Sequence, residues 1–204
     1  MKDDSFTHTL SLSVFIQAGG HSSRMGCNKA LLPLGSQTCI ERVLAVAMQI
    51  SPSVTIVAND ANSYRFLNCP LISDTYRGIG PLGGIHAALQ HCQADWALIL
   101  GCDLPFLTAP LLRYLIAQAN DFDAIVPRSE DGRLQPLCAL YARRCLSEVI
   151  RLIESKELAP RALFPRVRTR VVQWRELSSL PGAQWFFFDM NTPDSYERAK
   201  ALCQ

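Results

Sequence analysis

The chain has 204 residues, of which 49% are hydrophobic and 19% charged, and its formal net charge at pH 7 is +2. This composition is typical of a globular protein and excludes the collagen-like, fibrous and disordered classes. The small net charge argues against non-specific nucleic-acid binding, and no apolar run approaches the length of a membrane span, so we expect neither nucleic acid nor membrane as a partner.

Short apolar runs alternate with longer amphipathic stretches after a polar start at 1–11, which we predict to be flexible. The predicted strands, in chain order, are 13–16, 54–57, 96–100, 123–126, 137–141, 170–174 and 185–188. The predicted helices are 38–48, 85–92, 108–119, 143–153 and 194–202, with Thr108 and Thr192 as N-caps. Loops are predicted at 129–136 and 160–165. The alternation predicts an α/β fold with a mostly parallel sheet, and no linker divides the chain, so 1–204 is interpreted as a single domain.

Cysteine usage bears on the cellular location. None of the eight cysteines shows C-x-x-C spacing, and several lie in apolar surroundings. We interpret them as buried thiols in a reducing compartment. Because the N-terminus also lacks a signal-peptide pattern, we predict a cytoplasmic protein.

The segment after the first predicted strand has the composition of a phosphate-binding loop. Gly19, Gly20 and Gly26 let backbone N–H groups approach an anion closely, and Arg24 and Lys29 add positive charge. The spacing is neither that of a P-loop nor that of a dinucleotide fingerprint. The alternative is a glycine-rich turn with two solvated cations.

Carboxylates follow other predicted strands, where open parallel sheets bind ligands. Asp103 ends the apolar run 96–100 and suits Mg²⁺, which takes one or two carboxylates together with substrate phosphates; the alternative is a helix-capping role. The Asp74 carboxylate is an acceptor for hydrogen bonds from a base or a ribose. The alternative is an aspartate that only forms a turn. Asp189 follows 185–188 and is a candidate for the metal or a second substrate.

A second glycine-rich stretch, 77–84, leads into a predicted helix and indicates either close approach to a ligand or a flexible loop. The combination of this stretch with the phosphate-binding loop and the carboxylates suits nucleotidyl transfer, a reaction that depends on positioning and charge neutralisation.

The sequence resembles the molybdenum cofactor guanylyltransferase (MobA) family. The matching stretches occur in family order, cover the chain from about residue 14 to its end, and are Gln17–Leu32, Gly80–Gly84, Cys102–Pro105, Gln135–Tyr141 and Asn191–Asp194. The first of them is shared with many nucleotidyltransferases, whereas the combination is more specific.

The resemblance implies a Rossmann-like three-layer α/β/α fold of the nucleotidyltransferase type. It implies Mg²⁺-dependent transfer of GMP from GTP to the phosphate of molybdopterin-bound molybdenum, with release of pyrophosphate. GTP and the molybdopterin cofactor are then substrates, and other proteins of cofactor biosynthesis or acceptor enzymes are candidate partners. Catalytic roles are implied for Arg24, Lys29 and Asp103, with Asp103 at the metal. The implied nucleotide- and substrate-binding positions are Gln17, Ala18, Gly19, Gly20, Lys29, Asp74, Asp103 and Asn191.

Three departures from the family pattern keep alternatives open. Gln17 replaces the usual leucine, Cys27 and Asn28 vary the loop before Lys29, and Asp189 stands where some members have asparagine, as in two-metal relatives that use CTP or sugar phosphates. The rival hypotheses are a cytidylyltransferase for the same cofactor and a non-catalytic nucleotide or cofactor carrier. A third, an RNA-contacting protein, is suggested by the arginines Arg161, Arg166, Arg168 and Arg170.

Overall fold

The computed structural model describes residues 10–18 and 28–203. The strands in this part are β1 (Leu12–Gln17), β2 (Pro33–Leu34), β3 (Gln37–Thr38), β4 (Val54–Val57), β5 (Leu71–Ile72), β6 (Trp96–Gly101), β7 (Ala124–Pro127), β8 (Cys138–Ala142) and β9 (Thr169–Val172). The helices are α1 (Cys39–Ala47), α2 (Pro81–His91), α3 (Ala109–Ile116), α4 (Leu146–Glu154), α5 (Trp174–Leu177) and α6 (Pro193–Leu202). Short 3₁₀ segments occur at Lys29–Leu31, Asn62–Leu67, Arg143–Cys145, Pro160–Arg166 and Ala183–Trp185.

Seven of these strands form one sheet in the order β5-β4-β1-β6-β8-β7-β9. The pairs β5–β4, β4–β1, β1–β6 and β7–β9 are parallel, whereas β8 runs antiparallel to both of its neighbours. The prediction of a mostly parallel sheet is therefore confirmed. We call the edge at which β1 and β6 end the carboxyl edge; β7 ends and β8 begins at the same edge.

Helices cover both faces of the sheet, which confirms three layers. Successive residues of β1 point to opposite faces, so Val14 and Ile16 pack in a different cluster from Phe15. The first cluster includes side chains of α1 and α3, and the second includes side chains of α2 and α4. Strands buried on both faces explain the continuous apolar runs of the sequence.

The threonines at the starts of α1, α3 and α6 differ: two of them cap their helices, and one does not. Thr38 caps α1 in a reciprocal arrangement with Glu41, and Thr192 caps α6 by accepting from the Ser195 N–H at 3.1 Å. Thr108 precedes α3 as predicted but does not cap it, because its hydroxyl donates to the Pro181 carbonyl at 2.9 Å. A tertiary contact has replaced the local one.

Several predicted boundaries change. Helix α2 begins at Pro81 rather than at 85, because the glycines ahead of 85 are helical. The predicted strand 170–174 is shorter and shifted to β9, and 160–165 forms a 3₁₀ turn. The prediction of a loop at 129–136 agrees with a tight turn that the Ser129 N–H closes by donating to the Arg133 carbonyl at 2.8 Å.

The predicted strand 185–188 is wrong. The Phe188 N–H donates to the Trp185 carbonyl at 3.0 Å, which is a turn rather than a ladder bond. The aromatic side chains diverge: Phe186 enters the core, while Trp185 and Phe188 pack around Phe106. An apolar run alone does not distinguish a strand from a turn whose side chains are buried in several directions.

In the described part of the chain the cysteines are free thiols. Four are buried, as interpreted from the sequence (Cys39, Cys92, Cys138 and Cys145), whereas three are only partly buried (Cys69, Cys102 and Cys203). Within 10–18 and 28–203, no helix has the length and apolar character required to cross a membrane.

An ion-pair cluster lies at the sheet edge opposite the carboxyl edge, where β7 begins. Asp123, with a side chain that is 15% exposed, accepts from Arg144 and Arg168. Burial raises the pKa of Asp123, but the hydrogen bonds from Arg168 and Arg144 outweigh it and bring the pKa to about 2. The ionised carboxylate is therefore favoured by folding.

We expect Asp123→Asn to lower the free energy of unfolding at pH 7 by about 1–2 kcal/mol, a value discounted because both arginines are exposed. Because the pKa is depressed in the folded state, this contribution is present above about pH 4 and is lost as the pH falls toward 2. Urea unfolding of both proteins at pH 7 and near pH 2.5 measures it. Glu197→Gln, which removes an exposed pair with Lys200, serves as the control and should change little at either pH; a pH-independent loss in Asp123→Asn would contradict the prediction.

Candidate active site

The carboxyl edge brings the first glycine-rich segment and the Asp103 stretch together. Strands β1 and β6 are neighbours, and beyond their ends the Cys102 N–H donates to the Gln17 carbonyl at 3.2 Å. On the other side of β1, the Ala18 N–H donates to the Val57 carbonyl at 2.9 Å. Gln17 and Ala18 thus lie between the ends of β4 and β6, and their carbonyl oxygens each retain a lone pair for a further bond.

Lys29 lies on the 3₁₀ turn Lys29–Leu31, the first element described after 19–27. Its ammonium group lies near residues from two distant parts of the chain. Its Nζ donates to Asn191 Oδ1, a residue 162 positions away. The Met190 N–H donates to the Asp103 carbonyl at 3.0 Å, which anchors the 189–191 segment beside β6. Lys29, Asp103 and Asn191, three of the predicted site residues, therefore meet at one place.

The Asp103 carboxylate lies in a strongly charged environment. Burial raises its pKa, the nearby Lys29 ammonium opposes this effect, and the Asp189 carboxylate adds to it. Two carboxylates and one ammonium thus share this site, and a cation would relieve the repulsion between the carboxylates. Asp189 thus lies near Asp103, although it follows a turn and not a strand.

Asp74 lies at the far end of the same edge. It follows β5, which is separated from β1 by β4. Asn59, two residues beyond the end of β4, holds it on both sides: Asn59 Nδ2 donates to Asp74 Oδ2 at 3.3 Å, and Asn59 Oδ1 accepts from the Asp74 N–H at 3.0 Å. Burial raises the pKa of Asp74, while the Asn59 bond and the charges of Arg77 and His86 lower it. The sequence analysis did not single out Asn59, although an asparagine two residues after a predicted strand was a usable signal.

The glycines of α2 accommodate neighbouring protein groups. A Cβ on Gly84 would lie 2.2 Å from the Gln17 side chain, and one on Gly83 would lie 2.7 Å from the Tyr76 carbonyl. Gln17 Nε2 donates to the Pro81 carbonyl at 3.2 Å, and its buried Oε1 has no partner among the described residues. The side chain that departs from the family pattern thus packs against the start of α2.

Beyond β6 the edge continues over β8 and β7 to a small recess of about 60 Å³. It is lined by Ser129, Arg133, Leu134, Gln135, Phe187 and Asp189. The two halves of the edge differ in chemistry: amide, carboxylate and backbone groups lie over β5, β4 and β1, and a mixed polar and aromatic surface lies over β8 and β7. Asp103 stands at their boundary.

Three predicted site residues, Gly19, Gly20 and Arg24, lie outside the described residues. Of the arginines that suggested an RNA-contacting surface, Arg166 pairs with Glu148 and Glu157, Arg168 with Asp123, and Arg170 with Glu176. Arginines neutralised in this way attract a nucleic-acid backbone less than free ones would.

The described residues contain no group of three or more His, Cys, Asp or Glu side chains placed to hold a metal ion. Mg²⁺ does not require one, because it commonly binds through one or two carboxylates together with waters and substrate phosphates. Asp103, with Asp189 near it, supplies hard oxygen donors of that kind.

Gly101 is the residue whose missing side chain leaves room for Asp103. A Cβ there would lie 2.8 Å from Asp103 Oδ1 and 3.3 Å from the Cβ of Leu137. We expect Gly101→Ala to displace the carboxylate and to lower kcat for nucleotidyl transfer by about 10- to 100-fold, because displacements near 1 Å have costs of this order. Steady-state kinetics with GTP measures the effect.

The matched control is Gly35→Ala, which strains a backbone at φ +66° in the β2–β3 turn but does not approach Asp103. It should lower the melting temperature and leave kcat unchanged. Equal kcat in Gly101→Ala and the parent would contradict the prediction.

Known proteins are similar to this chain over most of its length. The profile of a family described as the MobA-like NTP transferase domain matches residues 14–171. A probable molybdenum cofactor guanylyltransferase of Carboxydothermus hydrogenoformans is 35% identical over 188 residues, covering 92% of this chain and 94% of the relative. The molybdenum cofactor guanylyltransferase of Desulfosudis oleivorans is 34% identical over 188 residues, covering 91% and 93%.

A solved structure is similar as well. The crystal structure of molybdopterin-guanine dinucleotide biosynthesis protein A from Archaeoglobus fulgidus superposes with a TM-score of 0.80 at 27% identity, covering 94% of this chain and 98% of that one. The family profile spans most of the chain, and the relatives match nearly its full length. The chain therefore belongs to the MobA-like NTP transferase family of nucleotidyltransferases.

Proposed function

We propose that this protein transfers GMP from GTP to the terminal phosphate of the molybdopterin that carries molybdenum. An oxygen of the acceptor phosphate forms a bond to the α-phosphorus of GTP, the bond from that phosphorus to the β-phosphate oxygen breaks, and pyrophosphate leaves. The observation that carries the proposal is the convergence of Lys29, Asp103 and Asn191 at the carboxyl edge. The names of the relatives supply the substrates.

Nucleotidyltransferases of this kind generally use a divalent metal, and we propose Mg²⁺. The donor set fits, because Asp103 and Asp189 provide carboxylate oxygens and their mutual repulsion favours a cation. When bound, Mg²⁺ supplies charge neutralisation at the triphosphate oxygens. The residues of this chain contribute positioning: Gly101 leaves room for Asp103, and Met190 ties the 189–191 segment to it.

Lys29 is proposed to neutralise charge on the β- and γ-phosphates. Its ammonium is held by Asn191 and stands beside Asp103, so the group that meets the leaving pyrophosphate is oriented before the substrate arrives. Asn191 then has two functions: it fixes Lys29 and stands on the side toward the acceptor. By resemblance, Arg24 remains a proposed triphosphate contact, and Gly19 and Gly20 remain proposed nucleotide-binding positions.

The two halves of the edge are proposed to hold the two substrates. The nucleotide lies over β5, β4 and β1, with Asp74 as an acceptor for base or ribose donors and the backbone of Gln17 and Ala18 beside it. The molybdopterin phosphate approaches over β8 and β7, next to the recess that Asp189 and Gln135 line. This places the α-phosphorus near Asp103, at the boundary.

Incubation of the purified protein with Mg²⁺, molybdenum-bearing molybdopterin and either GTP or CTP tests the proposal. Pyrophosphate release and a guanine dinucleotide product with GTP are expected. Turnover with CTP alone would overturn it in favour of a cytidylyltransferase, and binding without turnover would favour a carrier. The single domain over 1–204, a cytoplasmic location and a protein acceptor for the product are part of the proposal.

A further inference from the structure

Tyr64 has a buried hydroxyl that joins two separate parts of the site. It lies on the 3₁₀ turn that follows β4 and is 2% exposed. Its hydroxyl donates to the Ala18 carbonyl at 2.9 Å and accepts from Asn28 Nδ2 at 2.8 Å. The bond to Ala18 crosses 46 positions of sequence, so it is a tertiary contact.

The two partners of this hydroxyl are the described residues that flank 19–27. Ala18 is fixed on its other side by the bond from its N–H to Val57. Asn28 Oδ1 accepts from the Ala30 N–H at 3.1 Å and so caps the turn that carries Lys29. The Tyr64 hydroxyl thus links the end of β1 to the turn that carries Lys29.

The hydroxyl keeps the proton that this bridge requires. Burial raises the pKa of Tyr64 to about 12, even though the bond with Asn28 acts in the opposite direction. At neutral pH the phenol is uncharged, and it can donate to Ala18 and accept from Asn28 at the same time.

We propose that Tyr64 is a positioning residue, which sets the distance between Ala18 and the Lys29 turn before the nucleotide binds. The inference rests on the proposed function and goes beyond it, because Tyr64 touches neither substrate in that scheme. Without the hydrogen bonds of Tyr64, part of the free energy of nucleotide binding is used to order the two segments. The affinity for GTP is then lower, but the bound arrangement is unchanged. The role therefore predicts an effect on KM and not on kcat.

Tyr64→Phe removes only the hydroxyl and keeps the buried ring. We expect the KM for GTP to rise about tenfold, the equivalent of one lost hydrogen bond, with kcat within about twofold of the parent, measured well below the melting temperature. In the absence of nucleotide, hydrogen exchange of the Ala30 amide, measured by NMR, should be faster, because the Asn28 side chain that caps it is no longer held by the Tyr64 hydroxyl. Asn28→Ala should raise the KM similarly, and the double variant should be no worse than the weaker-binding single variant, because both remove the same bridge.

Tyr141→Phe is the matched control, since Tyr141 is fully buried and its hydroxyl donates to the Pro136 carbonyl at 2.8 Å. Tyr141→Phe should lower the melting temperature and leave the KM for GTP unchanged. An unchanged KM or an unchanged Ala30 exchange rate in Tyr64→Phe overturns the proposal, as does an equal rise of KM in Tyr141→Phe. If the parent transfers no GMP, the proposed function fails, and the Ala30 exchange rate still decides whether the bridge exists.

Discussion

Asp103→Asn is expected to lower kcat for GMP transfer by about a thousandfold, the upper range for loss of one preorganised electrostatic group. The substitution keeps the size of the side chain and removes the charge proposed to hold Mg²⁺ at the boundary between the two halves of the carboxyl edge. Raising the Mg²⁺ concentration should not restore the rate, because an amide oxygen is a much weaker ligand for the cation. Steady-state kinetics over a range of Mg²⁺ concentrations measures both effects.

The same substitution should not unfold the protein. Burial and Asp189 raise the pKa of Asp103, so the carboxylate binds its proton more tightly in the folded state than in the unfolded state. For an acid with a raised pKa, stability is lost as the pH rises through the unfolded and then the folded pKa, so the penalty is larger at pH 7 than near pH 3. Asp103→Asn should therefore melt at or above the parent temperature at pH 7, with a smaller difference near pH 3.

Asp121→Asn, which removes an exposed carboxylate near the opposite edge of the sheet, is the charge-matched control and should leave kcat unchanged. An Asp103→Asn protein that is folded and keeps more than a tenth of the parental kcat would exclude Asp103 from the proposed catalytic role. A large fall in its melting temperature at pH 7 would contradict the electrostatic argument.

Lys29→Met should lower kcat/KM for GTP by about 10²- to 10³-fold, because the β- and γ-phosphates lose the cation proposed to face them. The inhibition constant for added pyrophosphate should rise as well, since the same ammonium would bind the leaving group. Lys29→Arg should recover only part of the activity: it restores the charge, but the planar guanidinium cannot occupy the position of the compact ammonium beside Asn191.

Lys156→Met, at an exposed lysine after α4, controls for the loss of one positive charge and should have no effect on either constant. A Lys29→Met protein whose pyrophosphate inhibition matches that of the parent would show that Lys29 does not contact the leaving group. An Lys29→Arg protein with full activity would show that only the charge matters and that its orientation by Asn191 does not.

The positions of several residues at the carboxyl edge were predictable from local sequence. Strands such as 96–100 are short apolar runs, and a residue that directly follows a parallel strand must lie at the carboxyl edge wherever the strand stands in the sheet. The positions of Asp74 and Asp103 at one edge therefore follow from sequence order and parallel topology. The cap at Thr192 was equally predictable, because it depends on residues within one helical turn.

Other features depend on contacts between distant residues, and only the tertiary structure decided them. The antiparallel direction of β8 depends on how the chain returns to the sheet, and the aromatic run 185–188 became a turn because its side chains found partners in different directions. The bond between Lys29 and Asn191, the bridge through Tyr64 and the packing of Gln17 against Gly84 join segments far apart in the chain. Local patterns carry burial and chain direction, whereas the pairing of polar groups across the site is determined only when the packed layers fix which atoms can reach each other.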